Sequence, residues 1–250
     1  MALNQDRDAH IVYAEPGHPG KKSYVRSLFN GIAARYDLLN RLLSLGLDQH
    51  WRRQAVRWLA PEQPRRLLDI ATGTADLAIA ASRIRTVQEI IGVDIAESML
   101  QRGLQKVRRL GLEDRIHLQW ADSESLPFPD SSFDAVMVAF GVRNFENLGG
   151  ALGEMHRVLR PGGVVLVLEF ARPRMAGFRP LFEAYFRHLL PRLGRWISGH
   201  PEAYRYLPES VSRFPEGEEF VDHLRRAGFS PVTWRRLTFG VCALYKGWRR

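Results

Sequence analysis

Between about residues 65 and 170 the chain repeats one pattern: a short, almost uninterrupted apolar run, then a stretch with helical spacing. A strand that is apolar on both faces must be covered on both faces, and regular alternation with helices supplies that cover, so the pattern predicts a parallel sheet inside an α/β fold. The runs fall at residues 66–71, 89–94, 116–121, 133–139 and 163–169. Residues 98–110 carry Met99, Leu100, Leu104 and Val107 on one helical face, with Gly111 placed to end the helix. Further on come a helix near 218–227 and two strand-like runs, 232–238 and 241–248. Only Phe239-Gly240 separates those runs. That is hairpin spacing, so the last strand should run antiparallel. The expected fold is Rossmann-like: a seven-stranded, mostly parallel sheet with helices on both faces.

The flanking segments read differently. Residues 1–22 form a polar tail expected to be disordered, and residues 23–250 a single domain. Residues from about 25 to 60 have helical periodicity, with Leu28, Phe29, Ile32, Ala33, Tyr36, Leu39 and Leu43 near 3.6-residue spacing, and should form a helical cap. Residues from about 172 to 205 are rich in Arg, aromatics and Leu and contain Pro173, Pro180, Pro191 and Pro201, which suits an inserted lid or docking helix. With 45% hydrophobic and 25% charged residues the chain can bury a full core, which excludes a disordered protein or a disulfide-stapled scaffold. Cys242 is the only cysteine, so neither an intrachain disulfide nor a Cys-based zinc site can form. The N-terminus has no apolar h-region and no run approaches the length of a membrane span, so a cytoplasmic location is expected. A net charge of +9 suggests an anionic partner, either nucleic acid or a membrane surface.

The ends of the first three strands carry the chemistry. Leu67-Leu68-Asp69-Ile70-Ala71-Thr72-Gly73-Thr74-Ala75-Asp76-Leu77 is an apolar strand ending in a small-residue turn that opens a helix. Such a turn places backbone N–H groups at the carboxyl edge of the sheet, where ligands of open α/β folds bind. Gly73 is followed by Ala75 and Ala78, not by the second and third glycines of a dinucleotide fingerprint, which disfavours a nicotinamide cofactor. Asp94 closes the second run and can grip both hydroxyls of a ribose. Asp122, followed by Ser123 after the third run, can take the exocyclic amine of an adenine. Together these tips describe a pocket for a nucleoside with a short polar appendage and no pyrophosphate.

With these features the sequence resembles class I S-adenosylmethionine-dependent methyltransferases, and among them the demethylmenaquinone/ubiquinone-biosynthesis C-methyltransferase family, from about Lys22 to Trp248. Tyr36-Asp37-Leu38-Leu39-Asn40, with Ser44 and Trp51, is similar to that family's N-terminal signature. Arg157-Val158-Leu159-Arg160-Pro161-Gly162-Gly163, followed by Leu168-Glu169-Phe170, is similar to its second. Phe140-Gly141-Val142-Arg143-Asn144, Tyr206-Leu207-Pro208-Glu209-Ser210 and Arg213-Phe214-Pro215 also match family stretches. The chain departs from the pattern at Leu39, Asp48, Ala139, Arg160 and Ala171, where the family usually has Met, His, Ser, Lys and Ser. No role for that histidine therefore carries over, nor a hydroxyl contact at Ala139.

The resemblance implies S-adenosyl-L-methionine as methyl donor, no metal, and transfer to a ring carbon of a prenylated hydroquinone. Demethylmenaquinol is the expected acceptor; a dual menaquinone and ubiquinone activity, or a non-catalytic partner in a quinone-synthesis complex, are the alternatives. On this reading Gly73 and Thr74 hold the methionine moiety, Asp94 the ribose, and Asp122 with Ser123 the adenine side. Arg143 and Asn144, just past the fourth strand, would stabilise the ring oxyanion; an arginine stays protonated and is no base itself. Pairing of Arg143 with Asp37 or Glu169 is the competing reading. Tyr36 and Asp37 complete the expected catalytic set, with Asn40 on the same helical face as Tyr36. Residues 181–197 mix large apolar side chains with Arg, which fits either a helix on an anionic membrane at the inner face of the cell membrane or a homodimer contact. A nucleic-acid partner is not expected: no Asn/Asp-Pro-Pro-aromatic run follows the fourth strand and no separate basic module is visible.

Overall fold

The computed structural model describes residues 20–173 and 201–250. Five parallel strands, β1 (Arg66–Ile70), β2 (Glu89–Asp94), β3 (Ile116–Trp120), β4 (Phe133–Ala139) and β5 (Leu159–Phe170), are joined by a hairpin of β6 (Phe229–Leu237) and β7 (Cys242–Arg249). They form one sheet of order β3-β2-β1-β4-β5-β7-β6, in which β7 is antiparallel to both its neighbours. The chain order reverses between β1 and β4, so a crevice opens at their carboxyl ends.

Alternation along the strands divides the core. Leu68, Ile70, Val136, Val138, Val165 and Val167 face one side, covered by α6 (Leu148–Val158) and α8 (Glu218–Arg226). Leu67, Met137, Leu166 and Leu168 face the other, under α3 (Leu47–Leu59) and α4 (Asp76–Ala81). Helix α5 (Glu97–Arg109) has Glu97 in its first turn and Lys106, Arg108 and Arg109 in its last, charges that complement its dipole. It ends one residue short of the expected 110, with Gly111 beyond it in the left-handed region at φ 62°.

The cap consists of α1 (Lys21–Ile32), α2 (Tyr36–Leu43) and α3. Helix α1 is fastened to α5: Asn30 Oδ1 accepts from Ser98 N at 2.9 Å, and Arg26 pairs with Glu97. The expected disordered tail reached to residue 22, but Lys21 and Lys22 are already helical, because both find partners across the molecule. Lys21 Nζ donates to the carbonyls of Arg143 and Phe145 at 3.2 and 2.6 Å, and the Lys22 backbone N–H to Glu146 Oε2 at 2.9 Å. Residues 1–19 lie outside the described residues. So do residues 174–200, and with them most of the expected insertion; α7 (Pro201–Arg213) follows.

Candidate active site

The turn after β1 has an unusual backbone. Ala71, Gly73 and Ala75 are all left-handed, at φ 52°, 56° and 65°. Only Gly73 adopts this at no steric cost, so tertiary contacts must hold the two alanines there. Buried Asp69 provides one: its Oδ2 accepts from Thr72 Oγ1 at 2.6 Å and from Ala78 N at 3.1 Å. Burial drives the Asp69 carboxyl up to about 7 against those two bonds. Across the switch point the β4 tip approaches so closely that a Cβ at Gly141 would lie 2.6 Å from Ala71 Cβ.

A cleft with about 710 Å³ of empty space, part of it open to solvent, lies between these tips and the cap. The β1–β3 side brings Gly73, Asp94, Asp122 and Ser123 to it; the β4 side brings Phe140, Gly141 and Asn144; the cap brings Lys22, Phe29 and Tyr36. Asp94 is half-buried, with Oδ2 accepting from Gly73 N at 2.8 Å and Oδ1 from Ala96 N at 2.9 Å. Burial raises its carboxyl above the ordinary range even though these N–H groups favour the anion. Asp122 is engaged differently: Lys22 Nζ lies 2.6 Å from its Oδ2 and 3.3 Å from Glu124 Oε2. Burial pulls the Lys22 ammonium down, but these two carboxylates outweigh it and leave it raised.

The acceptor-side candidates split. Asn144 and Tyr36 line the cleft. Tyr206 donates its hydroxyl to Asn144 Oδ1 at 3.0 Å, and burial raises that hydroxyl to about 12, so it keeps its proton as a donor. Tyr36 is likewise raised by burial and bonded to Asn40, one turn along α2. Arg143 does not face the cleft. Its side chain is 6% exposed and pairs with Glu169 at 2.8 Å, where the Glu169 side chain is wholly buried. Its Nη1 also donates to the Phe140 carbonyl, its Nε to Ser210 Oγ at 3.3 Å, and its guanidinium lies 5.5 Å from the Phe170 ring centroid. Of the two pairings weighed from sequence, Glu169 is the partner. Asp37 is held by Thr74 and Lys106, and Thr74 is buried behind the turn, so neither Asp37 nor Thr74 reaches the cleft wall.

Lys22, Glu124 and Lys106 had no place in the sequence reading of the site. Glu169 was weighed from sequence only as a possible partner of Arg143, and its complete burial is seen in the structure. The lysines gave none, because their partners lie 30 to 102 residues away. Among the described residues no group of three or more His, Cys, Asp or Glu could hold a metal ion, and no helix is long and apolar enough to cross a membrane.

The strand order, the antiparallel β7 and a cleft at the switch point bounded by acidic strand tips define a class I S-adenosylmethionine-dependent methyltransferase. A SAM-dependent methyltransferase from Thermotoga maritima shares the fold with a TM-score of 0.64 at 19% identity, over 90% of this chain and 99% of that one. The chain belongs to the ubiE/COQ5 methyltransferase family, whose model matches residues 18–249. It is 49% identical to the demethylmenaquinone methyltransferase of Thermus thermophilus over 220 residues, 88% of this chain and 99% of that protein. It is 38% identical over 249 residues, the full length of both, to the ubiquinone/menaquinone biosynthesis C-methyltransferase UbiE of Dinoroseobacter shibae.

Proposed function

We infer that this protein transfers the methyl group of S-adenosylmethionine to a ring carbon of a prenylated hydroquinone, and that its acceptor is demethylmenaquinol. One observation carries the reading: a single cleft joins the Asp94 carboxylate at the β2 tip to a wall of Phe140, Tyr36 and Asn144. The first suits a ribose, the second an aromatic ring with a hydroxyl.

The residues present fit the donor. Asp94 retains acceptor capacity beyond its two backbone bonds, as a carboxylate has about four lone-pair sites. Asp122 and Ser123 stand at the adenine end, and Ile95, Met99 and Phe145 offer apolar surface for the base. When bound, S-adenosylmethionine supplies an electrophilic methyl on a sulfonium.

A ring carbon becomes nucleophilic when a hydroxyl ortho or para to it is ionised. The protein can favour that ionisation by donating hydrogen bonds to the oxygen as charge develops. Because Tyr206 occupies Asn144 Oδ1, the amide NH₂ of Asn144 is the end left to donate into the cleft. Tyr36, kept protonated by burial, is a second donor on the same wall. Arg143 acts at one remove. With its charge matched by Glu169, it anchors the turn that carries Asn144 and leaves the ring-facing wall without an unpaired cation. Helix α1, whose Lys22, Val25 and Phe29 line the cleft, covers it from the cap side and helps to exclude water from reacting atoms that must come within about 3–3.5 Å of each other.

The relative from Dinoroseobacter shibae, named for both quinones, supports a second reading in which the cleft also takes a benzoquinol. An acceptor panel with radiolabelled methyl donor separates the two. Label in short-chain demethylmenaquinol alone supports the first, and comparable label in a short-chain benzoquinol with an unmethylated ring carbon supports the second. Label in neither, with donor binding intact, would overturn both.

A further inference from the structure

Behind the glycine turn, on the side away from the cleft wall, four side chains from four segments meet: Asp37 on α2, Thr74 in the turn, Asp76 in the first turn of α4 and Lys106 near the end of α5. Thr74 Oγ1 donates to Asp37 Oδ1 at 2.5 Å. Lys106 Nζ donates to Asp37 Oδ2 at 2.9 Å, to Thr74 Oγ1 at 3.2 Å, and to Asp76 Oδ1. An ammonium has three N–H donors, and here all three have acceptors. The Lys106 side chain is 17% exposed and Thr74 3%, so water screens the group only in part. Two carboxylates share one ammonium; without Lys106 the two like charges would face each other across the Thr74 hydroxyl.

Among the described residues the apolar packing of α2 comes from Leu39, buried with Ile32, Ala33, Met99 and Val211, and from Tyr36, whose ring meets Phe29 edge-on, whereas Leu38 and Leu42 are exposed. Yet α2 carries Tyr36, next to Asp37, into the cleft wall. We propose that Lys106 is a positioning residue for methyl transfer: it fastens the cap helix to the donor-side turn, so that Tyr36 stands in the acceptor wall only while that turn keeps its folded shape. Lys106 touches neither reactant. It acts through Asp37, and the joint couples the two halves of the cleft. The kinetic part of this proposal rests on the function inferred above; the structural part does not.

The test uses the full-length protein and two kinds of measurement. Limited trypsin digestion reports on the cap directly, because Arg35 and Arg41 flank and enter α2 and are both exposed. In Lys106→Met, cleavage at these sites is expected to accelerate about tenfold, a coupling of ordinary size for residues in one polar network. The kcat is expected to fall about tenfold, while the Kd for S-adenosylhomocysteine, read by calorimetry, stays within about threefold. Lys106→Arg should recover most of the kcat. Asp37→Asn, which removes only the cap's side of the joint, should reproduce the Lys106→Met pattern, and the double variant should lose less than the sum of the two. Unchanged tryptic cleavage in both single variants would overturn the proposal. So would a loss of donor affinity as large as the loss of kcat, which would make Lys106 a support of the turn alone. Should the wild type methylate no hydroquinone, the digestion and the double-variant comparison still decide whether the joint holds the cap, and only the functional reading would fall.

Discussion

The two halves of the cleft handle charge in opposite ways. On the β1–β3 side Asp94 keeps an open edge and is held by backbone N–H groups of Gly73 and Ala96, an arrangement that leaves lone pairs for a ligand. On the β4–β5 side Arg143 and Glu169 neutralise each other out of water, Phe140 and Asn144 stand at the cleft opposite Tyr36 of the cap, and the Glu146 carboxylate is taken up by the Lys22 backbone N–H at 2.9 Å. A polar, charged donor and an apolar ring with one or two hydroxyls need these two environments. The lesson is that a charged residue in a recognised functional stretch can serve a site by being wholly satisfied elsewhere.

The contrast is breakable. Its largest consequence lies in the buried pair: Glu169→Leu leaves a desolvated guanidinium unpaired and should cost about 3–5 kcal/mol of stability by urea denaturation, with donor Kd changed little in the folded fraction. A loss below about 1 kcal/mol would mean that Arg143 finds water or another partner and that the wall is not self-contained. Next comes Asp69 under the donor turn. Its folded-state pKa of about 7 is above that of an unfolded aspartate, so the folded state binds the proton more tightly. The associated stability is present below about pH 4 and is lost as pH rises to 7, on the order of a few kcal/mol. Unfolding of wild type and Asp69→Asn compared at several pH values should show a steeper slope in the wild type, the difference between the two being the part that Asp69 contributes.

Smaller, and on the ligand rather than on the fold, is Asp94→Ala. Loss of charge-assisted bonds to a ribose should weaken S-adenosylhomocysteine by about 2–3 kcal/mol, roughly 30- to 150-fold. Its Tm should fall by only a few degrees, the reverse of the Glu169→Leu pattern. The smallest effect separates the Asn144 amide from its support. Tyr206→Phe removes the hydrogen bond at Asn144 Oδ1 and frees the amide to rotate, so kcat should fall by a factor of about 5–10, about 1 kcal/mol. Donor affinity should not change; if it did, Tyr206 would belong to the other half of the cleft.

Residues one after another in the chain made the donor side legible. Strand, small-residue turn and helix follow within eleven positions from Leu67 to Leu77, and Asp94 and Asp122 each end a strand whose apolar run is visible by itself. Strand boundaries read from those runs fall within one or two residues of the structure for β1 to β4. The starts of β5 and β6 were read three or four residues late, because Arg160-Pro161-Gly162 and Ser230-Pro231 look like loop, and in the structure they are irregular stretches where the strand register shifts after one earlier paired residue. The acceptor side was less accessible. Arg143 was legible as a residue that matters but not as one turned away from the cleft, since its orientation is set by a carboxylate on the neighbouring strand.

The sequence by itself determined the sheet, its layering and the acids at the donor end, because hydrophobic periodicity and turn chemistry are local and act within a few residues. Only the tertiary structure decided which charges face the cleft and which are paired behind it. Arg143 meets Glu169, Lys22 meets Asp122 and Lys106 meets Asp37 across separations that no periodicity encodes. Whether a carboxylate binds a ligand or a neighbour depends on which side chains packing has already brought within about 3 Å, and that is a property of the folded chain.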